Sequence, residues 1–426
     1  MDFNLPPALA AYLDELDAFI ACEIAPLEAA DDNARFFDHR REWARTDFER
    51  GGLPRAEWEA LLSEAAKRAD ASGHWRYSAP RRWGGRDGAN FDMAVIREHL
   101  AAKGLGLHND LQNEHSIVGN FPFVAMFEAF GREDQKQEFI SGGFSGERLV
   151  AFGLTEPKHG SDATHMETRS ERATRGGRAG WVINGEKMWI TGMHRATHCA
   201  TFARWKGADG DPKGIICLLV PRETEGLTVG EYLWTFNMPT DHPRLYFRDV
   251  FVPEDAVFGP EENGLAVAQS FVHQNRIRQA ASSLGAADYC IRESVEWARS
   301  RVTFGAPLAS HQAIQFPLVE LATQVEMLRL LIRKTAAEMD ATAHVEIERK
   351  LSGKISMCNY WANRLVCEAA DRAMQVHGGL GYSRHKPFEH IYRHHRRYRI
   401  TEGSEEIQMR KVAAHLFGYA GENRRR

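Results

Sequence analysis

No two of the six cysteines stand in a Cys-x-x-Cys pair. Cys22, Cys199, Cys217, Cys290, Cys358 and Cys367 are scattered, which argues against a zinc site and against a disulfide framework. They read as small apolar core residues of a protein kept in a reducing compartment. Long apolar runs are missing as well: nothing approaches the roughly eighteen residues of a membrane-spanning helix. The net charge of -4, from 54 basic and 58 acidic side chains, gives no global reason to expect nucleic acid or an anionic membrane as partner. The opening Met1-Asp2-Phe3-Asn4 lacks a basic stretch followed by an apolar one, so no targeting segment is expected. Internal repeats and low-complexity linkers are absent too. These absences leave a soluble, cytoplasmic protein without an integral membrane segment or a metal site as the expectation.

What is present is an ordinary globular composition, 43% hydrophobic and 26% charged, over 426 residues. That length exceeds a single core and predicts two or three packed layers or domains. From the start to about residue 150 the pattern is helical. Leu9, Leu13, Leu16, Ile20, Ile24 and Leu27 recur at three- and four-residue spacing, and Trp58 to Ala66 reads the same way. Arg81 to Gly88 is a glycine-broken loop. From about 151 to 260 the pattern turns to strands. Trp181 to Trp189 carries two strand-like runs around Asn184-Gly185, a strong hairpin signal. Ile215 to Val220 reads as a buried strand, and Leu245-Tyr246-Phe247 and Val250-Phe251-Val252 continue the theme. From about 261 the helical period returns in Gly264 to Arg301, Gln312 to Ala341 and Val345 to Val376. Three domains are expected: 1–150 helical, 151–260 a small β barrel, and 261–426 a helical bundle.

Single motifs are weak. Thr155-Glu156-Pro157 followed by Gly160-Ser161-Asp162 is a turn whose amides can meet a phosphate, and is as well read as a plain loop. Trp189 and Thr191 end a strand; an indole there is more often core than a cofactor contact. In combination they are not weak. Together with Ile183 to Thr191, Arg301-Val302-Thr303-Phe304-Gly305 before His311-Gln312-Ala313, Gln375 to Tyr382, and Tyr398-Arg399-Ile400-Thr401-Glu402-Gly403-Ser404, the sequence resembles the acyl-CoA dehydrogenase family over nearly its whole length.

The resemblance implies a mainly α fold with an N-terminal helical domain, a central β barrel and a C-terminal four-helix bundle, with FAD between them. It implies Glu402 as the catalytic base that takes the α-proton of an acyl-CoA thioester while the β-hydride leaves to flavin N5. A carboxylate is a poor base in water, and desolvation beside the acyl chain and flavin would raise its pKa. The enolate would be met by a ribityl hydroxyl and by the N–H of the base itself. Phe152, Leu154 and Thr155 fall on flavin contacts, Ser161 on a pyrophosphate and substrate contact, and Trp189 and Thr191 beside the isoalloxazine. Arg301, Phe304 and Gln312 correspond to residues reaching the FAD of a neighbouring subunit, Gln375 and Gly379 to a pyrophosphate stretch, and Ser404 and Glu406 to the adenosine end. Arg276, Thr401 and Gly403 fall beside the substrate, with Glu405 and Glu406 facing elsewhere. A homodimer or homotetramer and electron-transfer flavoprotein as reoxidant follow from the same likeness. The competing readings are an oxidase or monooxygenase on the same fold, which Glu402 counts against, and a non-catalytic partner subunit.

Several positions depart from the best-known members. Thr401 stands where straight-chain enzymes commonly carry tyrosine, which implies a wider acyl pocket. His273 replaces an acidic contact, and Lys158 and His159 replace smaller residues. His394-His395-Arg396-Arg397 and Arg424-Arg425-Arg426 are basic clusters, read as solvated faces or, for the first, as a neighbour of a phosphate-bearing ligand. Asp31 to Leu53 looks longer than the usual connection and is left as a lid or an interface element.

Overall fold

In a computed structural model, which describes residues 4–38, 40–109 and 116–420, the elements follow the expected order. The start Met1 to Phe3 and the terminal Arg424 to Arg426 lie outside the described residues. The longer helices are α1 (Pro7–Phe19), α2 (Ala56–Ala71), α3 (Asn90–Ala101), α4 (Pro122–Phe130) and α5 (Glu133–Ser145), then α6 (Gly264–Ser300), α7 (Gln312–Asp340), α8 (His344–His377), α9 (Phe388–Arg396) and α10 (Glu405–Leu416). Between α5 and α6 lie seven strands: β1 (Val150–Gly153), β2 (Arg169–Arg175), β3 (Arg178–Lys187), β4 (His198–Arg204), β5 (Ile215–Pro221), β6 (Leu227–Tyr232) and β7 (Pro243–Pro253). No helix of the described residues is long and apolar enough to cross a membrane.

Two compact units result, one from residues 1–44, 56–120 and 273–426 and the other from 45–55 and 121–272. The N-terminal helices and the C-terminal bundle fold together in the first. Ala94 and Ala101 of α3 join Ile277, Leu284, Leu328, Ile355 and Phe388 in one buried cluster, because α3 lays its apolar face against α7. A second cluster gathers Leu16, Trp58, Leu100 and Val118. The leucine spacing of the start is realised as α1 and a π turn, Ile20–Ile24, running on into Ala25–Ala29.

In the second unit the sheet order is β1-β4-β2-β3-β7-β6, with β5 on β4. β1 runs parallel to β4, while β2–β3, β3–β7, β4–β5 and β6–β7 are antiparallel. The hairpin expected at Asn184-Gly185 is not there. The turn is made by Gly176-Gly177, both at positive φ (55° and 78°), which is what a two-residue hairpin joining Arg175 to Arg178 demands. Asn184 and Gly185 sit inside the continuous β3, where the register to β7 slips. A Cβ on Gly185 would stand 2.6 Å from Thr168 Oγ1, and the Asn184 side chain accepts from the Asp249 N–H, so the pair is a bulge that bends the strand. Of the long segment Asp31 to Leu53, the part after Arg45 forms a small ladder, Thr46–Asp47 against Leu53–Pro54. It packs on the loop after β6: Trp234 Nε1 and the Thr240 N–H donate to the carbonyls of Gly51 and Gly52, each at 2.8 Å.

Candidate active site

The chain leaves α9 through a single 3-10 turn, Arg397–Arg399, and must reverse before α10 begins at Glu405. The reversal is made by two consecutive left-handed residues, Glu402 (φ 56°) and Gly403 (φ 87°). A glutamate in that region is strained and persists only where its surroundings over-determine it. Here they do. Arg276 of α6 donates from Nε (2.9 Å) and Nη2 (2.5 Å) to the Glu402 carbonyl. Gln408 Nε2 donates to the Gly403 carbonyl at 2.8 Å. Asn275 Nδ2 donates to Glu402 Oε1 at 3.3 Å. A Cβ on Gly403 would stand 2.7 Å from Arg276 Nη2, so the residue after the carboxylate is glycine for both φ and space. Arg276 is buried, with burial pulling its basicity down and the Glu402 and Glu348 carboxylates holding it up; it is no surface arginine. Ser404 stands at the N-terminus of α10, Thr401 and Glu406 are exposed, and Glu405 turns away to Arg399 and Arg364.

Behind this turn lies a buried polar chain. Asn359 donates to the Arg276 carbonyl and accepts from Gln408 and Asn363 at 2.9 and 3.1 Å. Asn363 Oδ1 accepts from Ser283 Oγ at 2.7 Å, and Ser283 meets His395 Nδ1 at 2.9 Å. With the serine proton committed to Asn363, the neutral His395 ring carries its proton on Nδ1. This corrects the basic reading of the His394 to Arg397 cluster. His394 and His395 are fully buried, and burial pushes both below the ordinary histidine range, His395 to about 3. Among the described residues His395 Nε2 has no hydrogen-bond partner, so a second proton there would be unmet. A ring held neutral in the fold contributes stability that is complete above the unfolded pKa of about 6.5 and erodes as pH falls towards 3, by roughly 1.4 kcal/mol per pH unit. Melting temperature is therefore expected to fall between pH 7 and 5, with a shallower slope in His395→Gln; equal slopes would remove the ring as the source.

In the β unit the strand ends carry the other expected residues. Phe152 lies on β1, paired with Ala200 of β4, with its ring stacked on Phe271 (4.7 Å between centroids). Leu154 and Thr155 follow it, and the Thr155 carbonyl accepts from the Met188 N–H at 2.9 Å. The tie between the two motifs is an ion pair that the sequence did not reveal. Lys187 is fully buried at the end of β3 and donates to Glu156 Oε1 at 2.8 Å and to the Leu154 carbonyl at 3.2 Å. Glu156 also accepts from the N–H groups of Glu167 (2.5 Å) and Thr168 (2.9 Å). Burial pulls the ammonium down and the carboxylate up. The carboxylate, met by Lys187 and by those two N–H groups, lies below its ordinary range despite its burial. Beyond it Trp189 is left-handed (φ 65°) with its indole 46% exposed, and the exposed Thr191 hydroxyl meets His242 Nδ1 at 3.0 Å. Ser161 is exposed in the loop before β2, and Lys158 there pairs with Glu167.

Gln375 is exposed on the last turn of α8, and Gly379 in the turn after it would offer a Cβ no neighbour within 4 Å, which leaves its backbone open to approach. Arg301, Phe304 and Gln312 flank the short ladder after α6; all are exposed, and Phe304 is left-handed (φ 52°) with its whole ring in solvent.

Residues 262–417 match the acyl-CoA dehydrogenase C-terminal domain and residues 151–250 the acyl-CoA dehydrogenase middle domain. The chain belongs to the acyl-CoA dehydrogenase family. It is accordingly an oxidoreductase of the flavoprotein class. Among its relatives, the 3-(aryl)acrylate reductase of Clostridium sporogenes is 30% identical over 358 residues, 83% of this chain and 90% of that protein. The mitochondrial short-chain specific acyl-CoA dehydrogenase of Homo sapiens is 33% identical over 300 residues, 70% of each chain. The structure of butyryl-CoA dehydrogenase from Megasphaera elsdenii superposes with a TM-score of 0.75 at 26% identity, covering 98% of this chain and 100% of that one.

In this family member the sequence reading missed Asn275, Asn359, Asn363, Gln408, Glu156 and Lys187. One signal was available. Ser352, Ser356, Asn359 and Asn363 repeat at four- and three-residue spacing and are all fully buried, which makes a polar stripe on a core-facing helix. Such a stripe needs partners: Ser352 meets His415, Ser356 and Asn359 meet Arg276, and Asn363 meets Ser283 and the Tyr398 carbonyl.

Proposed function

We propose that the protein removes two hydrogens from an acyl-CoA thioester, with Glu402 as the base that takes the α-proton. The observation that carries the reading is the Glu402-Gly403 turn: a carboxylate on a strained, left-handed residue, its carbonyl clamped by Arg276 and its carboxylate held by Asn275. A surface glutamate has no use for such support. FAD, when bound, supplies the hydride acceptor. Trp189, Thr191, Ser161 and the backbone of Phe152 to Thr155 would hold it, with Gln375, Gly379, Ser404 and Glu406. The exposed indole of Trp189 and the open backbone at Gly379 fit an aromatic and a phosphate respectively. Arg301, Phe304 and Gln312 would serve a second subunit's cofactor. The exposed apolar stripe Phe316, Val319, Met327 and Leu330 on α7 supports a homodimer or homotetramer. Electron-transfer flavoprotein is the proposed reoxidant.

Butyryl-, isobutyryl-, octanoyl- and 3-phenylpropionyl-CoA, added anaerobically to the yellow holoprotein, test the reading, the last because a relative is a 3-(aryl)acrylate reductase. At least one should bleach the flavin. Bleaching by none of them would overturn the proposal, and fast reoxidation by O₂ with product bound would place the protein among oxidases. Thr401, exposed directly before the base, is smaller than the tyrosine common in straight-chain members. Thr401→Tyr is expected to lower reduction by the branched and aryl substrates about tenfold relative to butyryl-CoA; an unchanged ratio would remove Thr401 from acyl selection.

A further inference from the structure

We propose that Asn275 is a positioning residue for Glu402, its amide oriented from the far side by Asn120 and Arg278. The inference rests on the reading of Glu402 as base and adds to it what holds the carboxylate ready. An asparagine offers a donor at one end and an acceptor at the other, and which end faces a carboxylate is decided by what meets the opposite end. Here the sequence of bonds runs one way. Arg278 Nη1 donates to Asn120 Oδ1 at 2.5 Å, which turns the Asn120 amide nitrogen outward. That nitrogen donates to Asn275 Oδ1 at 3.1 Å, and Asn275 Nδ2 then donates to Glu402 Oε1 at 3.3 Å. A guanidinium, which has no acceptor, therefore fixes both amides and presents an N–H to the base. Asn275 and Arg278 are buried, so the charge polarises the two amides in series with little screening.

Two consequences follow. The carboxylate is tied at Oε1, which fixes its plane relative to the clamped main chain. A donor also stabilises the ionised form, the form that accepts a proton. The charged groups around the base are these. Arg276 of α6 donates to the Glu402 carbonyl, and its charge also acts on the Glu402 carboxylate, in the wild type and in the Asn275 variants alike. Glu348 of α8, which faces Arg276, is met by His273 at 2.6 Å and by Lys411 of α10 at 2.5 Å. Glu405 on the adjoining turn is met by Arg399 and Arg364.

The test uses holoprotein without substrate. Infrared titration of the carboxylate band that disappears in Glu402→Gln reports the base directly. Its midpoint should rise by about one pH unit in Asn275→Ala, the size of a lost hydrogen bond to a charged group. It should rise further in Asn275→Asp, where two carboxylates titrate as a coupled pair, and less in Asn120→Ala. The acid limb of flavin reduction, read with whichever of the four acyl-CoAs reduces the wild type fastest, should move with it while FAD content stays unchanged. A midpoint and limb unmoved in Asn275→Ala and Asn275→Asp overturn the proposal. Failure of the base assignment itself shows separately, as flavin reduction surviving in Glu402→Gln.

Discussion

Glu402→Gln is expected to keep its FAD and to lose flavin reduction by roughly 10²- to 10⁴-fold, the range for removal of a positioned general base. The substitution is isosteric and leaves the backbone alone. Arg276 clamps the main-chain carbonyl of residue 402, and Gln408 the next one, so the turn does not depend on the side chain's charge. Asn275 Nδ2 can still face an amide oxygen where it faced Oε1. What disappears is the capacity to accept a proton. An α-proton beside a thioester is weakly acidic, and water is a far weaker base than a positioned carboxylate. The measurement is anaerobic stopped-flow bleaching with the most effective acyl-CoA, beside the flavin absorbance of the purified variant. A rate within tenfold of the wild type would remove Glu402 from the reaction.

The largest effect on stability is expected from Lys187→Met. Lys187 is fully buried and Glu156 is 4% exposed. Removing the ammonium leaves a carboxylate in the sheet with two N–H groups and no counter-charge, a loss of about 3–5 kcal/mol for a broken buried pair. For a unit of this size that is a fall of roughly 6–20 °C in melting temperature. The sign of the pH dependence follows from the direction of the Glu156 shift. In the wild type the carboxylate lies below its usual range, so its contribution is complete above about pH 4.5 and is lost as pH falls further. In the variant the carboxylate rises instead, and protonation relieves it, so the gap between the two proteins narrows in acid. Lys187→Met combined with Glu156→Gln should recover part of the loss, because no charge then remains buried. A fall of less than about 3 °C in the single variant would show that water or another cation already serves Glu156.

How far the sequence reached differs from element to element. The three long helical segments near the C-terminus agree with α6, α7 and α8 to within a residue or two at each end, because their apolar spacing runs for many turns. Ile215 to Val220 is buried at every position, as its unbroken apolar run required. Asn184-Gly185 misled because a local turn signal says nothing of partners: β7 pairs along both sides of it, and the turn went to Gly176-Gly177. His394 and His395 misled for a related reason. Beside two arginines they look cationic, yet they lie on the inward face of α9, and burial keeps both rings neutral.

The sequence by itself determined the order of helices, strands and helices, the family motifs, and a glycine after Glu402 where the backbone is left-handed. These are local: each follows from spacing, or from what one residue's backbone can adopt. The tertiary structure decided which polar groups meet. Asn275 and Glu402 are 127 residues apart, Glu156 and Lys187 are 31 apart, and Asn120 and Arg278 are 158 apart. Periodicity reports which face of an element is buried. It does not report which polar atom another element brings within hydrogen-bonding distance, and that depends on packing across the whole core. Support for the proposed base lies in such meetings, and only the folded chain shows them.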